Sequence, residues 1–219
     1  CSSDLDFVAD ASHQLRTPLS GLRLHLEDAL ATASSEDERE GLRACLRETD
    51  RLAGIVDELL ELSRAGEGPV EAATTSPSAA VARAAARFTA RARAAGCEIR
   101  TGAGEGTPVV CHASDLDRIL DILLENAIAY APGAPIDLDA DGPRIRVSDH
   151  GPGLAAGEEQ TAFERFHRGR AGRAGPPGTG LGLAIARDLA RRWGGDVTMQ
   201  DTPGGGASAV VRLRDAQRS

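Results

Sequence analysis

The pattern with the clearest chemical use is a glycine-rich segment at residues 178–182, which reads G-T-G-L-G and opens a predicted helix. Glycines at a helix N-terminus leave backbone N–H groups open to a phosphate, and the helix dipole favours negative charge there. The lysine and serine that end a P-loop are absent, and the segment does not follow a strand in a βαβ unit. Taken alone, the pattern is a weak signal for phosphate binding.

His13 is a second candidate, because it lies on a predicted helix with Pro18 five residues further on. A lone histidine on a helix is most often structural or solvated. A neutral imidazole near pH 7 can nevertheless act as a nucleophile. Proline inside a helix removes a backbone donor and clashes with the preceding turn, at a cost of about 3 kcal/mol. A helix that keeps both residues is predicted to use the local bend beside His13.

Two further patterns are weak when considered separately. Asn126 stands in an Ala/Leu-rich helix, where asparagine is usually a solvated surface residue. The D-x-G-x-G pattern at residues 149–153 is common in ordinary turns. Residues 169–180 contain five glycines and two prolines. A long glycine-rich segment within a compact domain usually has a functional use, such as a lid over a ligand.

The first half of the chain provides two helices for these residues. Apolar residues recur at helical spacing from about residue 4 to residue 33, and again to about residue 65. The S-S-E-D-E segment at 34–38 predicts a turn with an N-cap and an acidic first turn. One antiparallel hairpin cannot bury both apolar stripes, so we expect two copies to pair into a four-helix bundle. The alternative is a monomeric hairpin packed on its own C-terminal domain.

The second half predicts an α+β sandwich, with one mixed sheet and helices on one face. G-E-G-P at 66–69 breaks the second helix. The predicted organisation is a hairpin domain at 1–66, a linker at 67–72 and a second domain at 73–219. Its helices are expected near 78–95, 114–130 and 181–193, and its strands near 98–101, 107–111, 136–140, 144–149, 196–200 and 207–213.

Composition restricts the classes of partner. The net charge of −8 and pI near 5.2 argue against a general surface for nucleic acid or anionic membrane. The four cysteines are scattered without a C-x-x-C pair, which favours a reduced, cytoplasmic setting. No apolar run approaches the roughly 20 residues that cross a bilayer. We therefore expect no nucleic-acid partner, and membrane attachment only through a region outside this chain.

The F-V-A-D-A-S-H-Q-L-R-T-P-L segment at residues 7–19 resembles the H-box of bacterial two-component sensor histidine kinases. Four further segments follow in that family's order: L-L-E-N-A-I-A-Y at 123–130 (N-box), 149–153 (G1 box), A-F-E-R-F-H-R at 162–168 (F-box) and 178–183 (G2 box). The resemblance implies a dimerising, phospho-accepting hairpin. It also implies an ATP-binding domain of the type shared with type II topoisomerases and heat-shock 90 chaperones.

The resemblance assigns the phosphoryl chemistry to the first helix. It implies that His13 attacks the γ-phosphate of ATP and carries it as a phosphoramidate. Gln14 departs from the family, where Glu or Asp is usual. Its carbonyl can accept the N–H of the other ring nitrogen but cannot take its proton. Thr17 would position the water that dephosphorylates the partner regulator, and otherwise it is a plain surface residue.

The resemblance also assigns an ATP site with Mg²⁺. Asn126 would bind the magnesium ion, a hard cation that prefers oxygen ligands. Asp149 would accept a hydrogen bond from the adenine amino group, which selects adenine over guanine. The full predicted ATP-binding set is Asn126, Tyr130, Asp149, Gly151, Gly153, Arg168, Gly178, Thr179, Gly180, Leu181 and Gly182.

Two positions, one just before the N-box and one within it, depart from the family. Ile122 stands where another Asn is usual, and in ATP-hydrolysing relatives this neighbourhood supplies a glutamate base. Ile cannot activate water, which disfavours a free-standing ATPase. Ala129 replaces a usual Lys or Arg that touches phosphate; compensation is expected from Arg165, Arg168, Arg170 and Arg173. The F-box residues Phe163 and Phe166 are predicted to be core residues that anchor the lid.

The implied function is autophosphorylation of His13 within a homodimer. The phosphoryl group then passes to an aspartate on a response-regulator receiver domain, with phosphatase activity toward that regulator. The implied location is the cytoplasmic portion of a membrane sensor. The alternative is a kinase-weak or inactive ATP-binding scaffold or phosphatase, suggested by Gln14, Ile122 and Ala129. A topoisomerase- or chaperone-type ATPase is a third, less favoured interpretation.

Overall fold

The computed structural model describes residues 2–64, 73–102, 104, 106–155, 157–167, 179–202 and 205–217. Within the first two helices, side chains are described for residue 15 and for residues 17–56. The chain divides into two compact units, one built from these helices and one from the later elements. Among the described helices, none combines the length and the apolar character needed to cross a membrane.

The first unit is a helical hairpin. Helix α1 spans Ser2–Thr32 and α2 spans Glu36–Arg64. The turn is capped as predicted, because the Ser35 hydroxyl accepts the Glu38 N–H at 3.1 Å. The Glu38 carboxylate in return accepts the Ser34 N–H at 2.9 Å. This reciprocal arrangement satisfies backbone donors that a helix start otherwise leaves unpaired.

The hairpin leaves part of its apolar stripe uncovered. Leu15 is 50% exposed, Leu22 is 46% exposed and Leu52 is 41% exposed. Val56 and Thr49 are buried, and the Thr49 hydroxyl donates to the Cys45 carbonyl at 2.9 Å within the helix. Two helices therefore bury only some of their apolar positions against each other, as the heptad-like spacing predicts for half of a bundle.

The second unit alternates helices and short strands. In chain order its elements are β1 (Thr74–Thr75), α3 (Pro77–Ala94), β2 (Ile99–Thr101), β3 (Val109–Val110), α4 (Ala113–Tyr130), β4 (Ile136–Asp141), β5 (Arg144–Asp149), α5 (Glu158–Thr161), α6 (Gly182–Arg192), β6 (Asp196–Asp201) and β7 (Ala207–Arg212). Helix α3 starts as the sequence indicates, since the Ser76 hydroxyl accepts the Ala79 N–H and Pro77 occupies the first turn.

Five strands form the predicted mixed sheet, in the order β2-β4-β5-β7-β6. Strands β2 and β4 are parallel, and the other neighbours are antiparallel. One face is apolar: Leu138 pairs with Val147, and both are buried. The next pair along, Asp139 and Arg146, points to the opposite face. Helices α3, α4 and α6 contact the sheet or each other to enclose the core.

The strand expected at 107–111 does not join this sheet. Val109 and Val110 pair instead with β1, which forms a separate two-stranded sheet. The Thr75 hydroxyl donates to the Cys111 carbonyl at 2.6 Å, and the Cys111 N–H donates to Ala73 O at 3.0 Å. β1 and α5 were not predicted, because two and four residues are too short to show periodicity.

Helices α3 and α4 are joined along one side by ion pairs, which we call the arginine ladder. Each arginine pairs with an acid 34 positions later, and successive members are four residues apart, so the two helices run parallel. The pairs are Arg83–Asp117, Arg87–Asp121 and Arg91–Glu125. Partly exposed pairs each contribute at most about 1 kcal/mol, but together they fix the register of α4.

Candidate ATP-binding site

The C-terminal half of α4 forms one wall of the candidate site. Asn126 is half-buried, and its side chain makes no hydrogen bond within the part of the chain that the structure describes. Tyr130 lies one turn later on the same face and is also half-buried. An amide with this burial and without a partner among the described residues has its oxygen available for a ligand.

Asp149, at the end of β5, is only 9% exposed, and one of its carboxylate oxygens accepts two backbone hydrogen bonds. Its Oδ1 accepts the Gly151 N–H at 2.9 Å and the Ala207 N–H at 3.1 Å. Its Oδ2 receives no hydrogen bond from the described residues. Two backbone donors on one oxygen fix the orientation of the carboxylate, so Oδ2 points at a set position and can accept a donor from a ligand.

The turn after Asp149 packs against the end of α4. A Cβ on Gly151 would lie 2.6 Å from the Ala131 Cβ, so only glycine fits there. Gly153 continues the turn with a φ of +75°. Gly206 is a residue that the motif analysis missed: a Cβ there would collide with the Asp149 carbonyl. The G-G-G run at 204–206, just before the last strand, was the available signal.

The start of α6 forms the second glycine turn. Leu181 is completely buried, and a Cβ on Gly182 would lie 3.2 Å from the Ile122 Cγ2. Gly180 has a φ of +72°, and a Cβ there would lie 2.8 Å from the His167 carbonyl oxygen. Thr179 directly precedes Gly180 in the chain. Gly178, which was predicted with them, lies outside the described residues.

The F-box departs from the prediction at one of its two aromatic residues. Phe163 is half-buried, with the Arg187 guanidinium 4.7 Å from the centre of its ring. Phe166 is not a core residue: it is 62% exposed and has a φ of +63°. In this left-handed conformation its N–H donates to Gly180 O at 3.0 Å. The backbone of Phe166, rather than its ring, makes the packing contact that the motif suggested.

The candidate arginines and the predicted phospho-acceptor, His13, are described only in part. Arg165 is exposed and forms an ion pair with Asp188 at 3.5 Å. Arg168, Arg170 and Arg173 lie outside the described residues. His13 and Gln14 belong to α1, but their side chains are not among those described. Thr17 is exposed on α1, four residues after His13 and therefore on the same helix face.

The three cysteines that the structure describes are not arranged for chemistry. Cys97 and Cys111 are buried and free, and Cys45 is exposed. Burial, reinforced by the negative charge of Asp115, raises the pKa of Cys111 to about 12. A thiol with that pKa stays protonated at neutral pH, which makes Cys111 a poor nucleophile there.

The donor set suits a magnesium nucleotide. Among the described residues, no group of three or more His, Cys, Asp and Glu is placed to hold a metal ion. Mg²⁺ in phosphoryl-transfer sites is typically held by one or two protein oxygens together with substrate phosphates and water. The Asn126 amide, to which no described residue bonds, fits that pattern, and Asp149 Oδ2, which accepts no hydrogen bond from the described residues, fits an amino group of a base.

Comparisons with known proteins agree with both units. Residues 3–68 match the His Kinase A (phospho-acceptor) domain. Residues 111–217 match the family described as Histidine kinase-, DNA gyrase B-, and HSP90-like ATPase. The signal transduction histidine-protein kinase/phosphatase MprB of Mycobacterium sp. (strain KMS) is 34% identical, over 94% of this chain and 42% of that protein. The sensor-like histidine kinase SenX3 of Mycobacterium bovis is 35% identical, over 95% and 53%.

Solved structures show the same fold. Full-length ShkA in complex with AMPPNP matches with a TM-score of 0.71 and 26% identity, over 96% of this chain and 47% of that chain. The Acinetobacter baumannii histidine kinase AdeS matches in fold, with a TM-score of 0.64 and 20% identity, over 93% and 98%. The chain spans about half the length of the curated relatives it matches. With both of its units matched in order, the chain belongs to the bacterial two-component sensor histidine kinases.

Proposed function

We propose that this chain uses ATP to phosphorylate His13 and then passes the phosphoryl group to an aspartate of a response-regulator receiver domain. One observation carries the nucleotide part of the proposal. Helix α4 has a glycine turn packed against it on either side of Asn126: Gly182 against Ile122, and Gly151 against Ala131. The unpaired amide therefore lies between the turn that leads from Asp149 and the turn that opens α6.

The proposed roles follow from this arrangement. Asp149 Oδ2 accepts the adenine amino group, and the amides at the start of α6 face the phosphates, where the helix dipole favours negative charge. Asn126 would hold Mg²⁺, which would supply positive charge to offset the negative charge of the phosphates. The main contribution of these residues is to position the reacting groups.

In the proposed reaction, a ring nitrogen of neutral His13 forms the bond to phosphorus while the bond to the departing ADP breaks. Gln14 can accept the N–H of the other ring nitrogen and fix the tautomer, but it takes no proton. The exposed position of Thr17 on the same helix leaves that face open to a regulator. The name of MprB includes phosphatase activity, and by analogy we include dephosphorylation of the regulator in the proposal.

The proposal requires two copies of the chain. Leu15, Leu22 and Leu52 are between 41% and 50% exposed in the single chain. Burying a leucine side chain contributes about 1.5–3 kcal/mol, so pairing two hairpins into a four-helix bundle provides the missing partner. The domain limits proposed are 1–66 and 73–219, joined by a linker at 67–72. Because the reaction uses ATP, we place these residues on the cytoplasmic side of the cell membrane.

The test is autophosphorylation with γ-labelled ATP and Mg²⁺. We expect acid-labile, alkali-stable label on the unaltered chain, and none on His13→Ala or Asn126→Ala. The matched control is His25→Ala, which removes an exposed histidine from the same helix and should keep the label. Asn126→Ala should still fold, because no described residue bonds to the side chain that is removed.

Three other outcomes would each point elsewhere. ATP binding without label or hydrolysis would support the ATP-binding scaffold or phosphatase, which Gln14, Ile122 and Ala129 suggest. Steady hydrolysis of ATP without label on His13 would support an ATPase of the topoisomerase or chaperone type. Label that survives in His13→Ala would show that another residue accepts the phosphoryl group.

A further inference from the structure

Arg187, in the second turn of α6, makes a set of contacts that the proposed chemistry does not use. Its Nε donates to Asp196 Oδ1 at 2.7 Å, and its Nη2 donates to Asp196 Oδ2 at 3.0 Å. The same guanidinium lies over the Phe163 ring, with 4.7 Å between Cζ and the ring centre. A two-pronged bond to a carboxylate fixes the plane of the guanidinium, which then offers a flat, oriented cation to the aromatic ring.

The Arg187–Asp196 pair is well anchored on both sides. The Arg187 side chain is 26% exposed, and Asp196 begins β6, where its Oδ1 also accepts the Val197 N–H at 3.0 Å. The hydrogen bond from Arg187 is the largest cause of a lowered pKa for Asp196. Arg191, one turn later, reaches the same Oδ1 at 3.3 Å. Among the described residues, however, Arg191 contacts no aromatic ring.

The backbone that carries Phe163 is a compact series of turns. The Glu164 N–H donates to Thr161 O at 2.9 Å, and the His167 N–H donates to Glu164 O at 3.1 Å. These bonds couple the position of Phe163 to that of the residues that follow it. A displacement of the Phe163 ring would therefore move the end of this segment at Phe166.

The far end of the segment supports the glycine turn that opens α6. The Phe166 N–H donates to Gly180 O at 3.0 Å. A Cβ on Gly180 would lie 2.8 Å from the Phe166 carbonyl carbon, so the two backbones are in direct contact. The contacts therefore form a continuous set that begins and ends at Arg187. They run from Arg187 through Phe163 and Phe166 to Gly180, and back along α6 to Arg187.

We propose that Arg187 is a positioning residue for the phosphate-contacting turn at Gly180, acting through Phe163 and the Phe166 backbone. This inference rests on the proposed function, since it assigns a use to the turn at the phosphate end of the nucleotide. It gives Arg187 no contact with the nucleotide. The predicted consequence is selective: losing the brace weakens binding of the phosphates and leaves recognition of adenine by Asp149 intact.

A purely structural role makes a different prediction. If Arg187 only stabilised the domain, its replacement would lower the melting temperature and reduce the affinity for all nucleosides and nucleotides in the same proportion. The discriminating measurement is therefore the ratio of two dissociation constants, one for AMPPNP with Mg²⁺ and one for adenosine. Fluorescence of Trp193, the only tryptophan in the chain, reports whether each variant is folded.

The experiment compares Arg187→Gln, Arg187→Lys and Phe163→Leu with the matched control Arg191→Gln. Calorimetry gives the AMPPNP constants and NMR titration gives the adenosine constants. We expect Arg187→Gln and Phe163→Leu each to weaken AMPPNP by about fivefold to tenfold, the range of one partly desolvated cation–π contact. Adenosine binding should change by less than about twofold in both, and Arg191→Gln should change neither by more than about twofold.

Arg187→Lys should recover part of the AMPPNP affinity, because an ammonium can still lie over the ring but cannot form the two-pronged bond. Equal losses for AMPPNP and adenosine, or no loss for AMPPNP in folded Arg187→Gln and Phe163→Leu, would overturn the inference. An unaltered chain that binds neither compound would instead overturn the proposed function, and the inference with it.

Discussion

Replacing Asp149 by Asn offers a strict test of how the base is recognised. The Gly151 and Ala207 amides both donate to Oδ1, at 2.9 and 3.1 Å. An asparagine here must keep its oxygen in that position to satisfy the two donors. Its amide nitrogen therefore takes the place of Oδ2. The substitution reverses the hydrogen-bonding character of a single atom, from acceptor to donor, while the backbone contacts remain.

The size of the effect follows from the bond that is lost. A hydrogen bond to a charged acceptor contributes about 1.5–3 kcal/mol, which corresponds to roughly a 10- to 150-fold change in affinity. Adenine would present its amino donor to another donor, so ATP affinity should fall by at least that factor. Guanine presents an oxygen at the same position and should gain relative to adenine. The ratio of GTP affinity to ATP affinity should therefore rise by a larger factor than the factor by which ATP affinity falls.

Calorimetric titration of AMPPNP and GMPPNP with Mg²⁺ would measure this ratio. Asp139→Asn is the matched control, since it removes a carboxylate from the neighbouring strand, on the opposite face of the sheet from the core. The control should leave both affinities unchanged. An Asp149→Asn variant that binds ATP as well as the unaltered chain does, or loses ATP without any change in the GTP-to-ATP ratio, would refute this account of adenine recognition.

Three further predictions concern other parts of the chain. Gly151→Ala should lower the free energy of unfolding by about 1–3 kcal/mol, because the added methyl group would collide with Ala131. Gly41→Ala should raise it by about 0.5–1 kcal/mol, because Gly41 lies on α2 with open space around it. Chemical denaturation measures both changes. The folded Cys111 keeps its proton up to about pH 12, whereas an unfolded thiol loses its proton near pH 9. The free energy of unfolding should therefore fall by about 1 kcal/mol per pH unit above about pH 9. The Cys111→Ala variant should lack this slope. Gln14→Glu should autophosphorylate faster than the unaltered chain, because a carboxylate can take the imidazole proton; an equal or lower initial rate would contradict this.

The long elements of the fold were predictable because their patterns are strong. The sequence predicts helices near 78–95 and 114–130, and the structure has them at Pro77–Ala94 and Ala113–Tyr130. Strands β4 and β5 were predicted by alternation, which follows from one buried and one charged face. The pairing of Val109 with β1 was not predictable. It depends on contacts to residues more than 30 positions away, and two residues carry no period.

The motifs locate the candidate site, but they do not give its hydrogen bonds. The D-x-G-x-G motif places Asp149 and Gly151 two positions apart, so their proximity is visible in the sequence. The Ala207 donor comes from 58 residues further along the chain and is not part of the motif. The exposure of Phe166 was likewise hidden, because an aromatic residue in a short amphipathic segment favours a core position. In the structure, Phe166 has a left-handed backbone conformation, its ring points outward and its N–H donates to Gly180 O.

Ile122 illustrates how the structure changes the meaning of a departure from the family pattern. From the sequence, an isoleucine in place of a polar residue suggests a weakened site. In the structure Ile122 is 4% exposed, and a Cβ on Gly182 would lie only 3.2 Å from the Ile122 Cγ2. It therefore fills the space between α4 and the start of α6, and a polar side chain there would need a buried partner. The apolar contact holds the second glycine turn against α4, and one turn later the amide of Asn126 has no partner in the described part of the chain. The loss of one proposed ligand and a better-packed support for Asn126 are thus two consequences of the same residue, and the autophosphorylation rate of Ile122→Asn relative to the unaltered chain measures their balance.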